Sequence, residues 1–91
     1  MPMKRMHMIA EGIVQGVYYR YNTEKKANEY ELTGWVRNVS DGSVEILCEG
    51  REENIRRLVE WCKVGPRGAH VEKVHTEWGV YTGEFSRFEI R

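Results

Sequence analysis

Nowhere in this chain do apolar residues run for the roughly 18 positions that a membrane-spanning helix requires. Lys4 and Arg5 give the N-terminus charge, but the apolar segment and cleavage site of a secretory leader do not follow them. A cytoplasmic protein with no membrane partner is therefore expected. Cysteine is scarce: Cys48 and Cys62 are too few for a disulfide framework and lack CxxC spacing. Both fall on apolar positions of their segments, which favours two small buried side chains over redox or metal chemistry. A bond between them is disfavoured in a reducing compartment. The three histidines, His7, His70 and His75, show no metal-ligand spacing, so surface or turn roles are expected for them and neither a metal nor another cofactor. An excess of one charge is also missing. Fourteen basic and fourteen acidic residues cancel, whereas a domain that lives on nucleic acid usually carries a basic excess or stripe. Lys25-Lys26 and Arg56-Arg57 have acids close by and read as solvated helix faces. No nucleic-acid partner is expected.

What is present fits one small domain spanning residues 1–91, expected to be a monomer. A chain of this length has room for a single core and buries about two-thirds of its unfolded surface, enough to fold without metal or disulfide staples. A first strand is expected from about Lys4 to Glu11, with Met6, Met8 and Ala10 on one face and His7, Ile9 and Glu11 on the other. In the helical segment that follows the next loop, Thr23, Ala27 and Tyr30 share a face, and the glycine of Thr33-Gly34 breaks the segment. Trp35–Asn38 and Ser43–Glu49 flank Ser40-Asp41-Gly42, a hairpin signal, with Val44, Ile46 and Cys48 on one face. A second helix is predicted from Glu52 to Lys63 with the stripe Ile55, Leu58, Val59 and Cys62, closed by Gly65-Pro66. Val71–Trp78 reads as a strand whose alternation is imperfect, and Phe85–Ile90 as a short last one. The order β-α-β-β-α-β plus a terminal strand is that of an α+β, ferredoxin-like two-layer sandwich, two helices on one face of a mixed, mostly antiparallel sheet. Such a fold hosts many functions.

The segment Gly12-Ile13-Val14-Gln15-Gly16-Val17-Tyr18-Tyr19-Arg20 lies between the first strand and the first helix. A glycine-punctuated turn at a helix N-terminus lets backbone N–H groups converge on an anion, and the planar fork of an arginine suits phosphate. The segment is neither GxxxxGK(S/T) nor GxGxxG. Taken alone, two turn glycines and a surface arginine account for it equally well. A second feature is Gly34-Trp35-Val36-Arg37-Asn38 before the Asp41-Gly42 turn. Asn38 has the place of an ordinary turn former, yet an amide near a bound phosphate can also donate to and accept from water. Tyr18, Tyr19, Tyr21 and Trp35 are rings of the kind that form a base-stacking platform, but the RNP pattern is absent and packing around the loop is the preferred use of these rings.

Residues 12–20 resemble the G-x-V-Q-G-V-x-(F/Y)-R signature of the acylphosphatases. Gly34 to Asn38 with Asp41, Gly42 and Val44 resemble that family's G-W-V-x-N-x-x-D-G-x-V, and Gly65, Pro66, Ala69 and Val71 its G-P-x-x-A-x-V. The resemblance implies hydrolysis of acyl phosphates to a carboxylate and inorganic phosphate, without a metal. By the same resemblance Arg20 binds the phosphate, Asn38 positions the attacking water, and the backbone of Gln15, Gly16, Val17, Tyr18, Tyr19 and Arg20 forms the cradle. A site built largely of backbone leaves the acyl group mostly unspecified, so broad substrate tolerance is expected. The alternative is a non-catalytic ferredoxin-like module that binds an anion or RNA. One departure from the family pattern concerns local stability: Tyr30-Glu31-Leu32 stands where Leu-Gly-Leu often closes the first helix, so Glu31 is required to cap where glycine is easier, or the helix ends differently.

Overall fold

A computed structural model describes residues 2–91. Its elements are β1 (Met3–Ile13), α1 (Tyr19–Glu29), β2 (Thr33–Asn38), β3 (Val44–Arg51), α2 (Glu52–Val64), β4 (His70–Gly79) and β5 (Phe88–Ile90). The five strands form one sheet in the order β4-β1-β3-β2-β5, antiparallel throughout except for the parallel β2–β5 pair. Both helices pack on one face, giving the ferredoxin-like sandwich with a short fifth strand. Among the described residues no helix is long and apolar enough to cross a membrane.

The core lies between the helices and the alternating residues of the central strands. Met6, Met8 and Ala10 of β1 and Val44, Ile46 and Cys48 of β3 are all buried, and α2 covers them with Ile55, Leu58, Val59 and Cys62. Period 2 in the strands and 3.6 in the helix therefore converge on one apolar layer. In α1 the buried face is Tyr19, Thr23 and Ala27, one residue per turn. The expected set of Thr23, Ala27 and Tyr30 is shifted, because the helix already begins at Tyr19 and ends before Tyr30, which is only partly buried. Both cysteines are free and buried. Burial pushes the Cys62 thiol up to about 12 and raises Cys48 as well. Both stay protonated, as small apolar side chains should.

The imperfect alternation of β4 has a local cause. Ala10 pairs with Val74 and Gly12 with Val71, so β4 carries one residue more than β1 where the register shifts between Glu11 and Gly12. That bulge lets Val71 and Val74 both pack against the core although three positions separate them. A Cβ on Gly12 would collide with the carbonyl of His70, which leaves glycine as the residue that fits this approach.

Two further expectations change. Gly34 does not end the first helix: it lies within β2, where a Cβ would collide with the Leu47 carbonyl. The helix is closed instead by Glu31 at φ 57°. Leu32 N–H donates to Ala27 O at 2.8 Å and Glu31 N–H to Asn28 O at 3.1 Å, the paired bonds of a Schellman ending with glutamate in the left-handed position. The last strand is also shorter than Phe85–Ile90 suggests. Because β4 and β5 occupy opposite edges of the sheet, the chain from 80 to 87 must cross the helix-free face before it can pair. Buried Glu49 anchors that crossing, accepting from Thr82 N–H at 2.9 Å, Thr82 Oγ1 at 3.1 Å and Gly83 N–H at 3.1 Å, with Arg5 at 3.7 Å.

Candidate active site

The turn between β1 and α1 is built on two left-handed residues, Gly16 at φ 75° and Tyr18 at φ 63°. Alternation of left- and right-handed residues is the geometry in which successive backbone amides form an anion-binding concavity. The first-turn amides of α1 have no helical acceptors, and no acidic side chain stands in that turn to neutralise them. Tyr19 fixes the turn from below. Its ring is buried 5.6 Å from that of Trp61, and its hydroxyl donates to Cys62 O at 2.8 Å, so the start of α1 is tied to the end of α2. Burial, reinforced by Cys62, raises the Tyr19 phenol far above its ordinary value.

The hairpin between β2 and β3 stands beside this turn. Asp41 Oδ1 accepts from Ser43 N–H at 2.9 Å and Ser43 Oγ at 2.6 Å, which closes the turn after Asn38. These bonds hold the Asp41 carboxyl below the ordinary carboxylate range. Gln15 joins the two loops: its Nε2 donates to Val39 O at 2.8 Å and to Ser43 O at 2.9 Å. The glycine loop and the residue following Asn38 are thereby held together across the end of the sheet.

A cavity of about 380 Å³ opens at this end, lined by Gly16, Tyr18, Tyr19 and Arg20 from one side and by Asn38 from the other. Arg20 and Asn38, distant in sequence, thus share one cavity. Arg20 is half-buried and, among the described residues, makes no ion pair or side-chain hydrogen bond. Among the described residues no carboxylate lines the cavity, and the one charged side chain that does is the positive Arg20. Of the remaining loop residues named from sequence, Val17 packs against the core and Gln15 uses its side chain on the hairpin. Neither lines the cavity.

The acylphosphatase family profile matches residues 6–90. A protein named acylphosphatase from Pelotomaculum thermopropionicum is 48% identical over 90 residues, which covers 99% of this chain and 98% of that one. This chain belongs to the acylphosphatase family. As an acylphosphatase-family member it is an enzyme of the hydrolase class. The solved acylphosphatase of Coxiella burnetii superposes with a TM-score of 0.93 at 40% identity, covering 98% of this chain and 93% of that one. That of Bacillus subtilis gives 0.93 at 35%, covering 97% and 98%.

Sequence reasoning missed three lining residues, Val14, Tyr21 and Ile90. Val14 lies inside the acylphosphatase signature and Tyr21 directly after it, and neither carried a signal toward the cavity beyond being apolar or aromatic. Ile90 reaches the cavity because β5 runs parallel to β2 with Ile90 opposite Val36, and nothing in a linear pattern names that partner.

Proposed function

We propose that this chain hydrolyses acyl phosphates with Arg20 and the loop amides holding the phosphoryl group and Asn38 orienting the attacking water. The reaction is that of the acylphosphatase family, and the observation that supports these residue roles is the shared cavity of Arg20 and Asn38. An acyl phosphate already contains a good carboxylate leaving group, so the protein has little covalent chemistry to perform. Rate enhancement then comes from placing water in line with the departing carboxylate and spreading positive charge over the phosphoryl oxygens. Arg20 provides a two-pronged donor with no competing carboxylate among the described residues that line the cavity, and the N-terminus of α1 adds its partial positive charge.

Asn38 does not ionise near neutral pH and so does not serve as a base. Its amide can accept a hydrogen bond from the water and donate one to a phosphoryl oxygen, fixing the angle of attack. The water's proton then passes to a phosphoryl oxygen of the substrate itself. The P–O bond to the acyl oxygen breaks, carboxylate leaves with the electron pair, and inorganic phosphate remains in the cradle. A non-catalytic anion binder would need Arg20 but would have no use for an amide placed in the same cavity.

Acetyl phosphate hydrolysis by the folded protein in excess EDTA tests this reading. Phosphate release well above the uncatalysed rate is expected, and absence of turnover sinks it.

A further inference from the structure

β4 is an edge strand left uncovered. It takes the outer place in the sheet order, and among the described residues its backbone makes no hydrogen bond beyond those to β1. Only Val71 and Val74 are partly buried, and the rest of the strand is exposed. Every second residue of such a strand turns its N–H and C=O away from the sheet, so β4 presents a row of unused donors and acceptors. The bulge opposite Glu11 and Gly12 ends regular pairing at Lys73. Residues 73–79 are therefore the regular part of this edge.

The side chains of that stretch complement themselves. Val74, Thr76 and Trp78 lie on the helix side, because they pair with the buried Ala10, Met8 and Met6, and Lys73, His75 and Glu77 lie on the open side. Thr76 is the middle residue. Pairing the stretch with a second copy, antiparallel about a two-fold axis at Thr76, sets Val74 opposite Trp78 and His75 opposite Glu77, each contact occurring twice. Thr76 meets its own equivalent, and Lys73 reaches Glu77 on the diagonal. Aromatic with β-branched, threonine with threonine and opposite charges are the cross-strand pairs that stabilise a sheet. Among the described residues neither Lys73 nor Glu77 has an ion-pair or hydrogen-bond partner for its side chain within the chain, while His75 is held by Glu11 at 2.7 Å. Charges on an edge usually deter pairing; here they deter the wrong registers. An axis at His75 would draw the bulge into the ladder, and an axis at Glu77 would set two glutamates face to face.

We propose that two copies of this chain associate through β4, antiparallel about Thr76, joining their five-stranded sheets into one with both helix layers on the same side. The monomer expected from the sequence is then the dissociated form. No residue of β4 lines the cavity of Arg20 and Asn38, so this association stands apart from the hydrolytic reading. A single strand pair is a small interface, and the dimer is accordingly weak.

Sedimentation equilibrium at millimolar concentration should give twice the mass of the chain. Lys73→Glu and Glu77→Lys should each raise the dimer dissociation constant at least about tenfold, because the two-fold axis repeats every like-charge contact. The double variant Lys73→Glu/Glu77→Lys restores opposite charges across the axis, and its constant should fall back below that of either single variant. Both positions are exposed, so the fold is retained. Thr76→Cys places two thiols face to face and should form a disulfide-linked dimer with oxidised glutathione faster than His75→Cys does, since Cys48 and Cys62 are buried and do not compete. A wild-type chain that stays single at millimolar concentration, a dimer insensitive to the single charge reversals, a double variant no tighter than the single ones, or faster cross-linking through His75→Cys overturns the proposal.

Discussion

Gln15 donates through Nε2 to the carbonyl of Val39 at 2.8 Å, and the same nitrogen reaches Ser43 O at 2.9 Å. Val39 follows Asn38 directly, so this amide sets the distance between the glycine loop and the asparagine across the sheet end. Both carbonyls also accept backbone N–H groups, from Gly42 and Val39 respectively, and are not orphaned when the side chain is removed. Gln15→Ala should therefore cost only about 1–2 kcal/mol of stability, while kcat/KM falls about tenfold or more because small displacements of a positioning group are amplified in rate. Gln15→Glu, which has the shape but not the donor, should behave alike. Steady-state kinetics alongside urea unfolding checks both, and full kcat/KM in either variant removes the positioning role.

Arg20→Lys should not behave as a conservative change. An ammonium supplies charge but no planar fork, so kcat/KM for acetyl phosphate should fall by at least about 10²-fold, by analogy with the loss of an aligned charge-stabilising donor. Inhibition by inorganic phosphate should weaken in parallel. A variant with wild-type kcat/KM contradicts the assignment.

Asn38→Ala separates water orientation from phosphate binding. Loss of one positioned catalytic donor predicts a drop in kcat of about 10²-fold or more, with the inhibition constant for phosphate nearly unchanged. If phosphate binding is lost as well, Asn38 belongs to the cradle instead.

Glu45 links acid sensitivity to the helix-free face. Partial burial pushes its carboxyl up, but hydrogen bonds from His7 Nε2 at 2.6 Å and Arg37 Nε at 2.6 Å outweigh that and hold it below the ordinary range. A carboxyl whose folded value is lowered stabilises above its unfolded value and loses that contribution as pH falls through the folded one. Glu45→Gln should accordingly lower Tm at pH 7 by about 2–5 °C, the scale of an exposed ion pair in a domain of this size. The gap between the two proteins should shrink below about pH 4.5. A gap that persists unchanged at pH 2.5 argues against the ionic origin.

Glu31→Gly should stabilise the protein. Relief of the left-handed strain at φ 57° is worth about 1–2 kcal/mol, part of which the greater freedom of glycine in the unfolded chain cancels. A net gain of about 0.5–1 kcal/mol is expected. Denaturant midpoints measure it, and a lower midpoint would show that the Glu31 side chain has a compensating role.

Much of the architecture was legible because it rests on local periodicity. The stripe Ile55, Leu58, Val59, Cys62 and the alternation Met6, Met8, Ala10 both name their buried faces directly. Legibility failed where neighbours in space decide. Gly34 looks like a helix breaker in sequence, but its meaning comes from the Leu47 carbonyl on the adjacent strand. The start of β5 depends on Glu49 anchoring a crossing that no linear pattern reveals. The face pattern of β4 depends on a bulge against β1.

The candidate site divides in the same way. The sequence by itself determined the family, the glycine loop ending in Arg20 and the hairpin bearing Asn38, because turns and helix starts are encoded in residues that lie close along the chain. Only the tertiary structure decided that Arg20 and Asn38 share a cavity, that Gln15 spans the two loops, and that Ile90 closes the rim. Those relations are set by strand order and by the parallel pairing of β5 with β2, properties of the sheet as a whole to which no single segment of the sequence corresponds.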